Sequence, residues 1–163
     1  MGISRMNHAV LYTRDAARSA AFYEDVLGFS TVVEFPGGAF LRAPESTNDH
    51  DIAFFSIGEN AGPSLAGRST VGLYHLAWEV GTLADLVTTE QALIKAGALV
   101  GASDHIVTKS LYAKDLDGLD FEVCWVVPLK LLGEVTAPAG ARPRPLDLDR
   151  EIERYGALTP GGR

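Results

Sequence analysis

Few residues in this 163-residue chain have side chains suited to chemistry at neutral pH. There are four histidines, His8, His50, His75 and His105, and one cysteine, Cys124. A single cysteine rules out an internal disulfide framework and any site built on several cysteines of this chain. Site chemistry must therefore come from imidazoles, carboxylates and tyrosines. Among the carboxylates Glu122 stands apart, because it lies inside the apolar run LDFEVCWVV. A charge there is costly to bury unless it is paired or meets a cation. Strand alternation puts it on one face with Cys124 and Val126, opposite Phe121, Val123 and Trp125. The strand itself carries no Lys or Arg, which favours a metal ion over an ion pair with a basic neighbour.

The elements that must position these groups read as one pattern written twice. Residues 5–13 (RMNHAVLYT) alternate as a strand. Residues 15–27 form a helix capped by Asp15, with Ala16, Ala20, Tyr23 and Leu27 on one face and Gly28 ending it. Strands follow at 30–36, 39–43 and 51–57, the first two joined by Pro36-Gly37-Gly38. The second pass opens with the strand GLYHLAWEV (72–80). A helix follows, started by Thr82 with Asp85, striped by Leu83, Leu86, Val87, Leu93 and Ile94, and ended by Gly97. Strands at 99–106, 109–114 and 119–127 complete it, with Asp117-Gly118 as the last tight turn. His8 and His75 are 67 residues apart, as are Asp15 and Thr82; Gly28 and Gly97 are 69 apart. The expected class is α+β, an internal repeat of two βαβββ modules. Module 1 spans about 4–58, a linker 59–70, module 2 about 71–127. Residues 128–163 read as a tail, extended through 136–145 (TAPAGARPRP), with a short charged helix at 146–155.

The repeat bears directly on the chemistry. His8 and His75 occupy the same place in their modules, so a pseudo-twofold axis would let both imidazoles bind one ion. The twin of Glu122 falls at Ala53, Phe54 or Phe55, none of which binds a metal. Two histidines and one carboxylate leave coordination positions open, the facial arrangement of non-haem Fe(II) oxygenases. Glu79, on the same strand parity as His75, reads as a surface carboxylate that could also join the ion. Cys124 reads as a small buried residue, and Phe40, Phe54, Phe55, Tyr74, Trp78 and Trp125 as core.

FYEDVLGF (22–29) and KDLDGLDFEV (114–123) resemble the marks of the vicinal-oxygen-chelate superfamily over residues 5–127. The resemblance implies that the two βαβββ modules form a curved mixed β-sheet around a metal site, with helices on the outside. The superfamily includes glyoxalase I, fosfomycin-resistance thiol transferases, methylmalonyl-CoA epimerase, bleomycin-binding proteins and type I extradiol dioxygenases. The extradiol signature is the most specific match. His105 is followed by IVTKS, Leu111-Tyr112, Ala113-Lys114, the turn Asp115-Leu116-Asp117-Gly118, LDF and Glu122, with every spacing met. Leu116 stands where the signature prefers Pro, and Asp104 precedes His105 where small or apolar residues are usual. His50, in DHDIAFF (49–55), is similar to the catalytic histidine of those enzymes. The resemblance implies His8, His75 and Glu122 as iron ligands. His50 would be the acid/base beside bound oxygen, and His105 and Tyr112 would hydrogen-bond the substrate oxygens.

The expected activity is thus Fe(II)-dependent extradiol cleavage of a small aromatic diol by O2. The alternative keeps a divalent ion, Mn(II), Ni(II) or Zn(II), in an isomerase, lyase or thiol transferase; a metal-free binding protein ranks last. A thiol transferase of the fosfomycin type needs a cationic pocket, for which Lys109, Lys114 and Arg42 are available, but the sequence shows no cluster of them. Fourteen Lys and Arg against 21 Asp and Glu leave a net charge of −7, which argues against a nucleic-acid partner. No apolar run is long enough for a bilayer, and MGISRMNHAV lacks a signal-peptide pattern, so the cytoplasm is the expected location. A homodimer or higher homo-oligomer is the expected assembly. Whether the metal site lies within one chain or is shared by two is left open by the sequence.

Overall fold

The computed structural model describes residues 2–67, 69–132 and 142–162. The chain divides into two units, Met1–Ser64 with Leu116–Gly118, and Leu65–Asp115 with Leu119–Arg163. In the first, β1 (Ala9–Thr13) leads to α1 (Ala16–Leu27), then β2 (Ser30–Phe35), β3 (Gly38–Arg42) and β4 (Ile52–Ser56). Its sheet has the order β1-β4-β3-β2, with β1 parallel to β4 and the other pairs antiparallel. The second repeats the order as β5 (Leu76–Glu79), α2 (Leu83–Lys95), β6 (Leu99–Asp104), β7 (Thr108–Lys114) and β8 (Asp120–Val126). It then adds α3 (Leu129–Leu132), β9 (Arg144–Pro145) and α4 (Leu148–Tyr155), giving a sheet of order β5-β8-β7-β6-β9. The α+β class and the doubled βαβββ order agree with the sequence reading, each module carrying its own mixed sheet.

The helices form where the sequence signals them. Asp15 accepts the Arg18 N–H at the start of α1, and Gly28 ends it with φ +72°, a conformation that a Cβ would make costly. Asp15→Ala should lower stability by about 1 kcal/mol, read as a melting-temperature loss of about 2–4 °C. Thr82 accepts the Asp85 N–H at the start of α2, and Asp147 accepts the Arg150 N–H at the start of α4.

In each unit one face of the sheet is closed by helix. Ala16, Ala20, Phe22 and Tyr23 of α1 are buried with Ala39, Leu41, Ile52 and Phe54, and Tyr23 meets Phe54 with ring centroids 5.0 Å apart. Leu27, expected on that stripe, is only half-buried, while Ser19 is buried. In the second unit Leu83, Leu86 and Leu93 of α2 are buried together with Leu111, Phe121, Val123 and Trp125. Ile94, expected on the α2 stripe, is exposed instead.

Two strands are shorter than their alternation suggests. β1 starts at Ala9 and β5 at Leu76, although residues 5–13 and 72–80 both alternate. A strand needs a partner. Ala9 pairs with Ile52, the first residue of β4, and Leu76 with Phe121, just after the Asp117-Gly118 turn. His8 and His75 therefore sit at equivalent places, each one residue before its ladder begins. The register also settles the twin of Glu122. Ala77 pairs with Glu122 as Val10 pairs with Ala53, so the equivalent residue is Ala53.

Of the proline-rich stretch expected to be an extended tail, 136–141 lie outside the described residues. Arg144 and Pro145 add β9 to the second sheet, and α4 packs on α2, so the described residues 142–162 are part of that unit.

Candidate active site

With Phe121, Val123 and Trp125 turned toward the helices, the alternate residues of β8 line the other face of the second sheet. Cross-strand register sets Tyr112 of β7 and Ala77 of β5 on either side of Glu122. His75, two residues before Ala77, reaches the same place. Its Nε2 lies 3.1 Å from Glu122 Oε2. His105 Nε2 and the Tyr112 hydroxyl share a hydrogen bond of 2.7 Å, and the His75 and Tyr112 ring centroids are 6.1 Å apart. The second unit thus brings together four of the six residues singled out by the sequence.

The remaining two, His8 and His50, adjoin each other in the first unit with ring centroids 4.4 Å apart. His50 is also stacked on Phe40 at 4.9 Å, and Phe40 belongs to an aromatic group with Phe35 and Phe55. The Nδ1 atoms of His8 and His50 face Asn7 Oδ1 at 2.7 Å and Asp49 Oδ2 at 3.0 Å. Such acceptors hold the Nδ1–H tautomer and leave Nε2 with a lone pair, the usual device for orienting a metal-binding or basic imidazole. The segments carrying both rings are tied by Asn48, which donates to Asn7 O and to Asp51 Oδ1. Burial would raise the Asp51 carboxyl, but hydrogen bonds from Ser46, Ala43 and Asn48 and the charge of His50 hold it below its ordinary value.

The His75–Glu122 pair suits a divalent ion. Two donors at right angles on an ion, each about 2.1 Å from it, stand roughly 3.0 Å apart, close to the observed separation. His75 Nδ1 is buried without a hydrogen-bond partner. No acceptor fixes the ring proton on Nδ1, so Nε2 is free to face the Glu122 carboxylate either as an N–H donor or, once that proton leaves, as a second ligand to a cation set between them. The metal expected from the sequence thus finds a fitting pair of donors here. Within neither unit, among the described residues, do three or more His, Cys, Asp or Glu side chains gather into a group that could hold a metal.

Neighbouring groups keep their protons. Burial first, then the charge of Glu122, pushes the Tyr112 phenol up, so it stays a hydroxyl at neutral pH. Burial, with the charges of Glu122 and Glu79, pushes the Cys124 thiol up to about 12, so this buried cysteine remains protonated. Glu79 is exposed at the end of β5.

The structure also accounts for residues whose part the sequence did not reveal. Phe40, a core residue by its sequence pattern, forms the platform under His50. Lys109, one cation available for an anion pocket, is wholly buried on the helix-covered face, against Asp104 and Glu151. Lys114 pairs with Asp120 at 2.9 Å. Burial would push the Asp104 carboxyl up, but hydrogen bonds from Lys109 and the Ile106 N–H, with the charges of Lys109 and Arg144, hold it below its ordinary 3.8. A carboxyl depressed by folding stabilises the fold above its unfolded pKa, and that stability is lost as pH falls through the folded value. Thermal melts from about pH 5 down to 2 should show a loss to which Asp104 and Asp51 both contribute, and Lys109→Met should flatten part of it.

Residues 5–123 match the model of the Glyoxalase/Bleomycin resistance protein/Dioxygenase superfamily, and the chain belongs to that family. Among curated proteins it is 37% identical over 117 residues to biphenyl-2,3-diol 1,2-dioxygenase 3 of Rhodococcus globerulus, covering 70% of this chain and 59% of that one. It is 32% identical over 123 residues to catechol-2,3-dioxygenase of Bacillus subtilis (strain 168), covering 74% of this chain and 41% of that one. The chain therefore spans about half the length of these relatives. The fold is shared with a glyoxylase/bleomycin resistance protein/dioxygenase domain from Frankia sp. EAN1pec, at TM-score 0.63 and 24% identity, covering 76% of this chain and 92% of that one.

Proposed function

We propose that the protein is an Fe(II)-dependent extradiol dioxygenase that opens a small catechol-type ring with O2. The observation that carries this reading is the contiguity of two pairs, His75–Glu122 and His105–Tyr112, on one sheet face. His75 and Glu122 are two of the metal ligands, and His8 is the third implied by the family resemblance. His50 is the acid/base implied in the same way. Its anchored Nδ1 and stacked ring suit an imidazole that must present Nε2 in one direction. The names of the two curated relatives support an aromatic diol as substrate.

When bound, Fe(II) would supply Lewis acidity toward the diol oxygens and a path by which the diol's own electrons reach O2. The chain's own groups do the rest. Tyr112, kept protonated, donates a hydrogen bond to a substrate oxygen or to His105, whose imidazole stands beside it as the second polar group facing the substrate. A fold of this kind hosts several reactions, so the residues rather than the architecture favour oxygen chemistry. In the second unit both lysines named for a phosphonate pocket are already paired, which weakens the thiol-transferase alternative.

Anaerobic loading with Fe(II), followed by O2 and a panel including catechol and 2,3-dihydroxybiphenyl, should consume one O2 per diol and give a yellow ring-opened product. Iron-loaded protein that takes up no oxygen with any diol, or that turns over an isomerase or thiol-transfer substrate without O2, would overturn the proposal.

A further inference from the structure

His105 is held in an unusual way. Ile106, which follows it, has φ +71°, the one non-glycine residue with positive φ among those described. The Val107 N–H donates to His105 O at 2.8 Å, closing a three-residue turn around Ile106, and the His105 N–H donates to Thr108 O at 2.9 Å. A turn of this hand is strained, and a β-branched residue at its centre more so. Such a conformation persists only where its surroundings enforce it, and those surroundings can be traced.

Asp104 Oδ1 accepts the Ile106 N–H at 2.7 Å and also a hydrogen bond from Lys109 Nζ. Lys109 is fully buried, and its Nζ lies 2.9 Å from Glu151 Oε2 of α4. Glu151 is 3% exposed, and that oxygen makes no aligned hydrogen bond, so the contact with Lys109 is one of charge. The Tyr155 ring of α4 lies 5.7 Å from Lys109 Nζ. β9, just before α4, pairs Arg144 with Asp104 and Pro145 with Ser103. A chain of contacts thus runs from the C-terminal helix through a buried cation to the strained turn, and from there to the imidazole that meets Tyr112.

We infer that Glu151, Lys109 and Asp104 are positioning residues: through them the C-terminal segment holds the Ile106 turn that aims His105 Nε2 at the Tyr112 hydroxyl. The inference deepens the dioxygenase reading and rests on it for the role of His105. An ångström of misplacement at a reacting group can cost about 10²-fold in rate. Loss of this support should therefore lower kcat more than it raises KM.

The test uses the full chain with 15N-labelled histidine, wild type and Glu151→Gln, followed by NMR of the four imidazoles and, in parallel, by diol turnover. Lys109→Met, which keeps the packing of the aliphatic stem, is the second variant should Glu151→Gln fail to fold. Leu93→Ala, a buried α2 change outside this series, controls for general loosening. The expected result is a shift of the His105 ring signals in Glu151→Gln or Lys109→Met with those of His8 and His50 unmoved. A fall in kcat of about tenfold or more should accompany it, with Leu93→Ala changing neither. His105 signals that stay in place in a folded variant, or move equally in Leu93→Ala, would overturn the inference. Should the wild type oxidise no diol, the dioxygenase reading fails while the NMR comparison still decides this one.

Discussion

Glu122→Ala should lose tight Fe(II) binding and lower oxygen uptake by about a thousandfold, since a polarising metal is worth several kcal/mol of barrier and each 1.36 kcal/mol is tenfold. Glu122 Oε2 and His75 Nε2 are the two donors that the second sheet brings within 3.1 Å of each other. Without the carboxylate, the half-buried imidazole keeps a lone pair but no anionic neighbour to neutralise a divalent charge. The fold should survive the change. Glu122 sits on the face opposite the helix-covered core, and the equivalent register position in the first unit is already an alanine, Ala53, paired with Val10 as Glu122 is with Ala77. Glu122→Gln separates charge from shape and should lose nearly as much. Metal content after anaerobic loading, measured beside oxygen uptake and a thermal melt, checks all three points. A Glu122→Ala protein with wild-type iron content and turnover would remove this residue from the site.

Lys109→Ala should be among the most destabilising single changes in the second unit, costing about 3–5 kcal/mol, because it leaves buried carboxylates without their cation. Lys109 is fully buried, Glu151 is 3% exposed, and Asp104 accepts a hydrogen bond from the same ammonium. At about 2–4 °C per kcal/mol for a chain of this size, the melting temperature should fall by roughly 6–20 °C. Lys109→Met should cost less than Lys109→Ala by the packing of the aliphatic stem alone, about 1–2 kcal/mol, since it fills that space but leaves the same two carboxylates without a cation. Thermal melts of both variants at neutral pH distinguish the two outcomes. A Lys109→Ala protein melting within about 2 °C of wild type would show that Asp104 and Glu151 reach solvent or another partner once the ammonium is gone.

What could be read from the chain alone was whatever local chemistry dictates. The caps Asp15 and Thr82, the stop at Gly28 and the 67-residue spacing of His8 and His75 prescribe two βαβββ modules, because helix ends and strand alternation are set by neighbours in sequence. The same alternation separated Glu122 from Phe121, Val123 and Trp125, and that division between faces holds in the structure. Register, in contrast, depends on which strand lies alongside. It made β1 and β5 begin where pairing with β4 and β8 begins, chose Ala53 over Phe54 and Phe55 as the twin of Glu122, and put Tyr112 beside Glu122. Buried charge partnerships are equally non-local. Lys109 looked like a free cation because Asp104 is five residues away and Glu151 forty-two, and only the packing of α4 onto the second unit brings both carboxylates to one ammonium. Phe40 under His50, and the enforced turn at Ile106, belong to the same class: their causes lie in contacts made across space, to which a linear pattern of residue types carries no signal.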